Sequence, residues 1–289
     1  MELPAQVVSV IVPTRNSERT LAACLASIRA QTYPLVEVVV IDNGSTDGTV
    51  ATARQLADQF YSYGPVPWIA TSAQRNRGAQ AAQGNYLLFI DADMRLAAEI
   101  VVACVGILQR TGSPGAVIPE ISTGEGYWAR CRALERSCYG GDDSAEAARF
   151  FSRGAFEAAG GYDEELTALE DWDLSQRICA GASPPRITPA IVHDEGRLSL
   201  LGAAAKKRYY GASFQRLVRK HGTRALARAN FIARPAFFRH WRRLLAGGVV
   251  TPGMLLLKSV EFAAAASGVL AGRTSGRLQA GALYPEADK

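Results

Sequence analysis

Three acidic clusters in the chain stand where carboxylates can do chemistry: Asp42, the pair Asp91 and Asp93, and the adjacent Glu170 and Asp171. Residues 86–94 read YLLFIDADM, an apolar run that ends in two acids separated by one alanine. A run without polar alternation fits a strand covered on both faces, as in a parallel sheet. The C-terminal edge of such a strand is where open α/β sheets take ligands. Two acids so close repel each other unless a cation, a metal-bound phosphate or a sugar hydroxyl lies between them. The plain alternative is an acidic turn that caps the next helix.

The same arrangement recurs upstream. Residues 42–49 read DNGSTDGT, with an acid where an apolar stretch meets its loop, and residues 13–16 read PTRN at the end of another. A glycine in such a loop lets the backbone approach a ligand, and the following helix N-terminus attracts anions. Thr14, Asp42, Asp91 and Asp93 thus form a nucleotide-shaped set: acids for base amides and ribose hydroxyls, and a carboxylate for a metal that holds diphosphate. No GxGxxG follows the first strand and no GxxxxGK[ST] occurs, which counts against a dinucleotide oxidoreductase and a P-loop NTPase.

To bring these residues together the chain must alternate strands with helices, and its pattern does. Residues 6–13 and 36–41 read as strands, 17–30 and 46–60 as helices, 68–70 as a short strand, 73–82 as a helix and 86–90 as the strand above. Asn16 with Ser17, and Ser45 with Asp47, stand at expected N-caps. This rhythm predicts an α/β fold with a mostly parallel sheet and helices on both faces. Past Pro119 the rhythm breaks: 125–139 reads as helix, 149–152 as a short strand, Gly160-Gly161 as a turn, 169–180 as helix and 187–193 as strand. Beyond Gly196 nearly everything reads as helix. The expected organisation is a nucleotide-binding half over 1–118, an acceptor-side half over 119–196 and a basic helical region over 197–289.

Charge marks the last boundary. Residues 1–196 hold 15 Lys and Arg against 24 Asp and Glu, net −9, whereas residues 197–289 hold 17 against 3, net +14. A basic tail behind an acidic body suggests phosphates, of lipid or nucleic acid. No RNP, KH or zinc pattern is present, so nucleic acid is not expected. Residues 206–220 place Tyr210, Phe214 and Leu217 at helical spacing among basic residues, which predicts an amphipathic basic helix. Two apolar runs, 244–257 and 262–272, are interrupted at Lys258 and Glu261, and neither reaches the ~20 residues that span a bilayer. Peripheral attachment to an anionic membrane, packing on the catalytic body and contact in a homodimer are the readings left open. Five scattered cysteines without a CxxC pair indicate neither a disulfide framework nor a zinc site. Reduced thiols, and a start without the basic and apolar regions of a signal peptide, give a cytoplasmic expectation, on the inner face of the membrane where attached.

The ordered fragments VSVIVPTRN, VVVIDNGSTDGT, QRNRGAQAAQGNYLLFIDAD, RGAFEAAGGYDEEL and EDWDLSQR together resemble the family 2 glycosyltransferases of the GT-A fold, over roughly residues 7–196. The resemblance implies an inverting transfer from a nucleoside-diphosphate sugar with Mg²⁺ or Mn²⁺, and uridine as the first expectation for the base. It implies that Pro13, Thr14, Asp42, Arg75, Asp91 and Ala92 bind the nucleotide, with Asp42 and Arg75 by the base and Asp91 on ribose or metal-bound water. It further implies that Asp93 ligates the metal with His193 beside it, that Asp171 is the general base, and that Gly161, Glu170 and Trp172 lie near donor sugar or acceptor. Asp42-Asn43 stands where the family often has two acids. QxxRW, the signature of polymer-forming members, is absent after Glu170, which favours one sugar per encounter. The expected acceptor is a lipid-linked or envelope glycan.

Inversion explains the residue types. An acceptor hydroxyl must attack the anomeric carbon opposite the leaving diphosphate, so a carboxylate takes its proton on one side and positive charge meets the diphosphate on the other. Each position has a structural alternative: a solvated acidic helix start for Glu170-Asp171, a structural histidine for His193, a core tryptophan for Trp172. Rival functions are a sugar nucleotidyltransferase, which would show a Gly-rich basic loop where this chain has PTRNSER, and a non-catalytic nucleotide-sugar-binding scaffold, which would lack an acid opposite the metal.

Overall fold

The structure, a computed structural model, describes residues 6–63, 70–142, 146–166, 168–180, 182–211, 214–222 and 235–274. Strand β1 (Val8–Thr14) is buried at every position and runs parallel to its neighbours β2 (Val36–Asp42) and β4 (Tyr86–Phe89). Residue parity decides which face each side chain serves. Val8, Val10, Val12, Val38, Val40 and Leu88 join one core, and Ile11, Val39, Ile41, Leu87 and Phe89 the other.

Helices α1 (Glu18–Arg29) and α4 (Ile100–Thr111) close the first core, through Leu21, Leu25, Ile28, Val101 and Val105. Helix α3 (Thr71–Ala81), α6 (Arg153–Ala158) and α7 (Glu170–Ile178) close the second with Ala79, Phe156 and Leu174. A methyl group at Gly78 would collide with the Ile11 side chain, so glycine lets α3 lie directly on the sheet. Each fully buried aliphatic or Phe side chain here contributes roughly 1.5–3 kcal/mol, so burial, not helix propensity, holds these elements.

Among the described residues the main sheet has the order β3-β2-β1-β4-β8-β6. Strand β3 (Gln59–Ser62) continues the parallel set, while β8 (Ala148–Ser152) and β6 (Gly115–Val117) add an antiparallel edge. Strand β5 (Met94–Leu96) pairs antiparallel with β9 (Ile191–Arg197) and sets Met94 opposite His193. Two expectations are corrected. The helix expected over 46–60 is α2 (Thr49–Leu56), and the strand beside β2 is β3. The chain leaves the helix because the Asp58 carboxylate accepts from the Val38 amide at 2.7 Å and from Arg29 at 2.8 and 2.9 Å. Of the strand expected at 68–70, residues 68 and 69 lie outside the described residues, and Ala70 precedes α3.

The chain divides into two compact units, residues 1–120, 147–164 and 170–193, and residues 121–146, 165–169 and 194–289. The second contains most of β7 (Glu120–Glu125), then α5 (Gly126–Ser137), α8 (Leu200–Gly211), α9 (Phe214–His221), α10 (Pro235–Arg239), α11 (Trp241–Ala246) and α12 (Val250–Thr274). Its core gathers Cys131, Ala203, Met254 and Leu257. The single helix expected over 206–220 is two, α8 and α9; Leu217 of the expected stripe is buried, and Tyr209 rather than Tyr210 is the buried tyrosine. Residues 250–257 of the first apolar run and all of the second lie in α12, whose stretch Val250–Ala271 is long and apolar enough to cross a membrane by length and composition. All five cysteines are free thiols and buried.

Candidate active site

The strand ends deliver the first group of side chains. In the β1–β2 register Pro13 lies beside Ile41 and Thr14 beside Asp42. Asp42 is fully buried; its Oδ2 accepts from the Ser45 amide at 3.1 Å and the Ser62 hydroxyl at 2.9 Å, and the Ser45 hydroxyl bonds Oδ1. The Thr14 hydroxyl is buried without a hydrogen-bond partner among the described residues. A buried hydroxyl left so costs about 1–3 kcal/mol, which a ligand polar group would recover.

The loops after β1 and β2 lace together. Asn16, with φ 47°, accepts from the Thr46 amide at 2.9 Å and gives its own amide to the Ser45 hydroxyl at 2.8 Å. Asp47 accepts from the amides of Glu18 and Thr49, the first residues of α1 and α2, at 3.2 and 3.0 Å. Ser17 makes no side-chain cap; α1 is capped across the loops.

Arg75 organises the second group. Its guanidinium, 2 % exposed, donates from Nη2 to Asp91 Oδ1 at 2.6 Å and from Nη1 to Glu170 Oε1 and Asp171 Oδ1, both at 3.0 Å. It lies over the Tyr162 ring, 5.3 Å from the centroid, and the Tyr162 hydroxyl donates to the same Asp171 oxygen at 3.0 Å. Arg75, expected beside a base, therefore directs its fork to three carboxylates from two distant segments. Burial alone would raise Asp91, but Arg75, then Arg149 and His193, hold it down at about 2. Glu170 moves the other way: burial and then the Asp171 charge raise its pKa, against the pull of Arg75.

On the other side of Asp91, Asp93 Oδ2 stands 3.4 Å from His193 Nε2, and His193 Nδ1 is 3.7 Å from Glu120 Oε2. Arg149 donates from Nε to Glu120 Oε1 at 2.8 Å and reaches Asp91 and Asp171 at 3.6 Å. Asp93 Oδ1 is buried with no hydrogen-bond partner among the described residues. Five carboxylates (Asp91, Asp93, Glu120, Glu170, Asp171) face two guanidinium groups, a formal surplus of three acids before His193 is counted. No three His, Cys, Asp or Glu side chains among the described residues enclose an ion by themselves. An exposed-edge acid with a free oxygen, an imidazole beside it and excess negative charge nevertheless fit a hard divalent cation that shares its ligands with phosphate oxygens.

Other expected residues sit further back. Gly161, at φ 69°, leaves room for the Asn76 amide, which bonds both backbone groups of Tyr162 at 2.8 and 3.0 Å. Its part is to place Tyr162. Trp172 is 5 % exposed, turned inward with Leu174, which leaves little ring for a sugar to stack on. Asp173 is fully buried and bonded to Arg177 at 2.7 Å. Ala92 is buried between the two acids of its motif. Glu120, Arg149 and Tyr162 join the cluster without having been anticipated. The one available signal was Arg149 itself, a lone cation in the apolar stretch ARFF, which needs a buried partner.

A parallel sheet with an antiparallel edge, with acids gathered at the ends of its strands, defines a glycosyltransferase of the GT-A type. Residues 9–157 match the family described as glycosyl transferase family 2, and the chain belongs to that family. The "PGL/p-HBAD biosynthesis glycosyltransferase" of Mycobacterium bovis is 30% identical over 198 residues, 66% of this chain and 75% of that protein. Among solved structures, the mannosyltransferase PcManGT of Pyrobaculum calidifontis aligns with a TM-score of 0.54 and 21% identity, covering 94% of this chain and 76% of that one. Residues 1–349 of S. aureus TarS align at 0.52 with 16% identity, covering 94% and 92%.

Proposed function

We propose that this glycosyltransferase inverts the anomeric centre and moves one sugar per encounter from a nucleoside-diphosphate sugar, uridine first, to a hydroxyl of a lipid-linked or envelope glycan at the cytoplasmic face of a membrane. The observation that carries this reading is the single guanidinium of Arg75, which holds Asp91 of one acidic pair and Asp171 of the other in one site. The two fold relatives support the donor class: PcManGT was solved with GDP-Man and Mn2+, and TarS 1–349 with UDP-GlcNAc.

In this reading Thr14, Pro13, Asp42 and Ala92 receive the nucleoside, with Asp91 toward ribose. Asp93 and His193 hold Mg²⁺ or Mn²⁺, which when bound supplies positive charge to the departing diphosphate. Asp171 removes the acceptor proton. Its Oδ1 is occupied by Arg75 and Tyr162, whereas Oδ2 has only Arg149 at 3.6 Å. The two bonds fix the carboxylate plane and leave Oδ2 to accept. Glu170 keeps the site electronegative beside it, and Asp173, closed off by Arg177, takes no part.

Replacing Asp171 with Asn keeps the shape but removes the proton acceptor. Turnover in a transfer assay should fall by ~10²–10⁴ with donor affinity nearly unchanged. Near-normal turnover in Asp171→Asn would pass the role to Glu170.

A further inference from the structure

We propose that the outward face of α12, with the α10–α11 segment before it, docks in the plane of an anionic membrane. A helix on the surface of a soluble unit turns its charges out and its apolar stripe in. In α12 the order is reversed. Lys258 and Glu261 point inward, where Lys258 Nζ meets Glu135 Oε1 at 2.7 Å and Arg132 bridges Glu135, at 2.6 Å, and Glu261. The Tyr139 hydroxyl donates to Glu135 at 2.6 Å, so the buried quartet is charge-balanced and hydrogen-bonded. The solvent side carries Leu255, Leu256, Ser259, Phe262, Ala263 and Leu270, all exposed and spaced as one helical stripe. Leu255, Leu256 and Leu270 are 54%, 51% and 61% exposed.

Just N-terminal to α12, Val249, Leu245 and Trp241 are each more than half exposed. Around Trp241 stand Arg239, Arg242 and Arg243, also exposed, with the Arg242 guanidinium 5.5 Å from the indole centroid. The one Asp or Glu between residues 235 and 274 is the buried Glu261. An apolar stripe this long implies an occupant, and cations without exposed anions at its head select anionic headgroups. Tryptophan beside arginine suits the headgroup level.

Lying in the plane fits better than crossing. The inner side of α12 is taken by α5 and α8, close enough that a methyl group at Gly268 would collide with the Arg208 carbonyl. Crossing would drag Arg130, Arg132, Glu135 and Arg136 of α5 into hydrocarbon, at a cost of several kcal/mol each. The basic segment 206–220 singled out from sequence is not this surface, since Tyr209 and Leu217 are buried.

The test is flotation of the full chain with vesicles of phosphatidylcholine containing phosphatidylglycerol, and of phosphatidylcholine alone. Binding should be strong to the first, weak to the second, and weakened by salt. Arg239→Gln with Arg242→Gln should lower partitioning about thirtyfold, roughly fivefold per arginine. Leu256→Ser with Phe262→Ser should lower it roughly tenfold or more, with the melting temperature unchanged because both side chains are exposed. Leu35→Ser, an exposed leucine of the other unit, should have no effect. Failure of the native chain to float with anionic vesicles overturns the proposal. So does a lipid-free dimer that Leu256→Ser with Phe262→Ser converts to monomer, since the face would then belong to a second copy. The arginine double variant remains informative even if the apolar variant does not fold.

Discussion

Removing the Arg75 guanidinium should cost the fold as well as the chemistry. Arg75→Met leaves Asp91, Glu170 and Asp171 facing one another with Arg149, and His193 beside Asp91, to balance them, after losing bonds of 2.6, 3.0 and 3.0 Å. Breaking a buried pair by deleting one partner costs about 3–5 kcal/mol. At roughly 2–4 °C per kcal/mol for a domain of this size, a loss of about 4 kcal/mol lowers the melting temperature by about 8–16 °C. Arg75→Lys keeps the charge, but one ammonium cannot bond three carboxylates, so it should fall between the two. The pH dependence carries the sign. Asp91 sits at about 2 when folded, against about 3.9 unfolded, so its contribution is complete above roughly pH 4 and is lost as pH falls toward 2. Without Arg75 the burial that raises both groups is less opposed, so Asp91 and Glu170 should titrate higher than in the native chain. Protonation then relieves the variant, and the gap to the native chain should be widest near neutral pH and narrow toward pH 4. Circular-dichroism melts across that range measure it. A Met variant that melts within about 2 °C of the native chain near pH 7, or a gap that stays constant with pH, would refute the reasoning.

Two further outcomes are expected. Asp93→Ala and His193→Ala should each weaken nucleotide-sugar binding and abolish its dependence on Mn²⁺ in isothermal titration; unchanged affinity and unchanged Mn²⁺ dependence would remove that residue from the metal. Burial holds Lys207 down at about 8, below 10.5, despite Glu261 nearby, so the folded state resists its proton. Native stability should therefore rise between about pH 8 and 10.5, and Lys207→Met should be more stable near pH 7 by about 2–3 kcal/mol and lack that rise, as chemical denaturation will show.

Strands β1, β2 and β4 were legible because a parallel strand covered on both faces has no polar positions to disguise it. Helix α4 was not anticipated: IVVACVGILQRT is apolar on most sides, so periodicity is weak. Strands β5 and β6 are three residues each, too short for a pattern; pairing with β9 and β8 makes them strands. The acids of the site were readable because adjacent like charges at element ends are costly and need a reason. Their common partner was not, because Arg75 meets Glu170 and Asp171 across 95 and 96 positions. Trp172 shows the limit from the other side: in sequence a place near the sugar and a core tryptophan were both open, and the turn of α7 puts its indole inside.

The charge pattern also bears on the order of events. Five carboxylates against two arginines resist a diphosphate, because two further negative charges would enter a site already three in excess. Asp93 and His193 lie at the edge of this cluster, with Asp93 the more exposed of the two, so the excess is reachable by a cation where solvent enters. The proposed donor and divalent cation should then arrive together, each screening the other's cost. Arg75 cannot meet the donor without loosening Asp91 or Asp171, since one fork serves both. The same buried arginine thereby ties the two acidic pairs of the proposed site to one another.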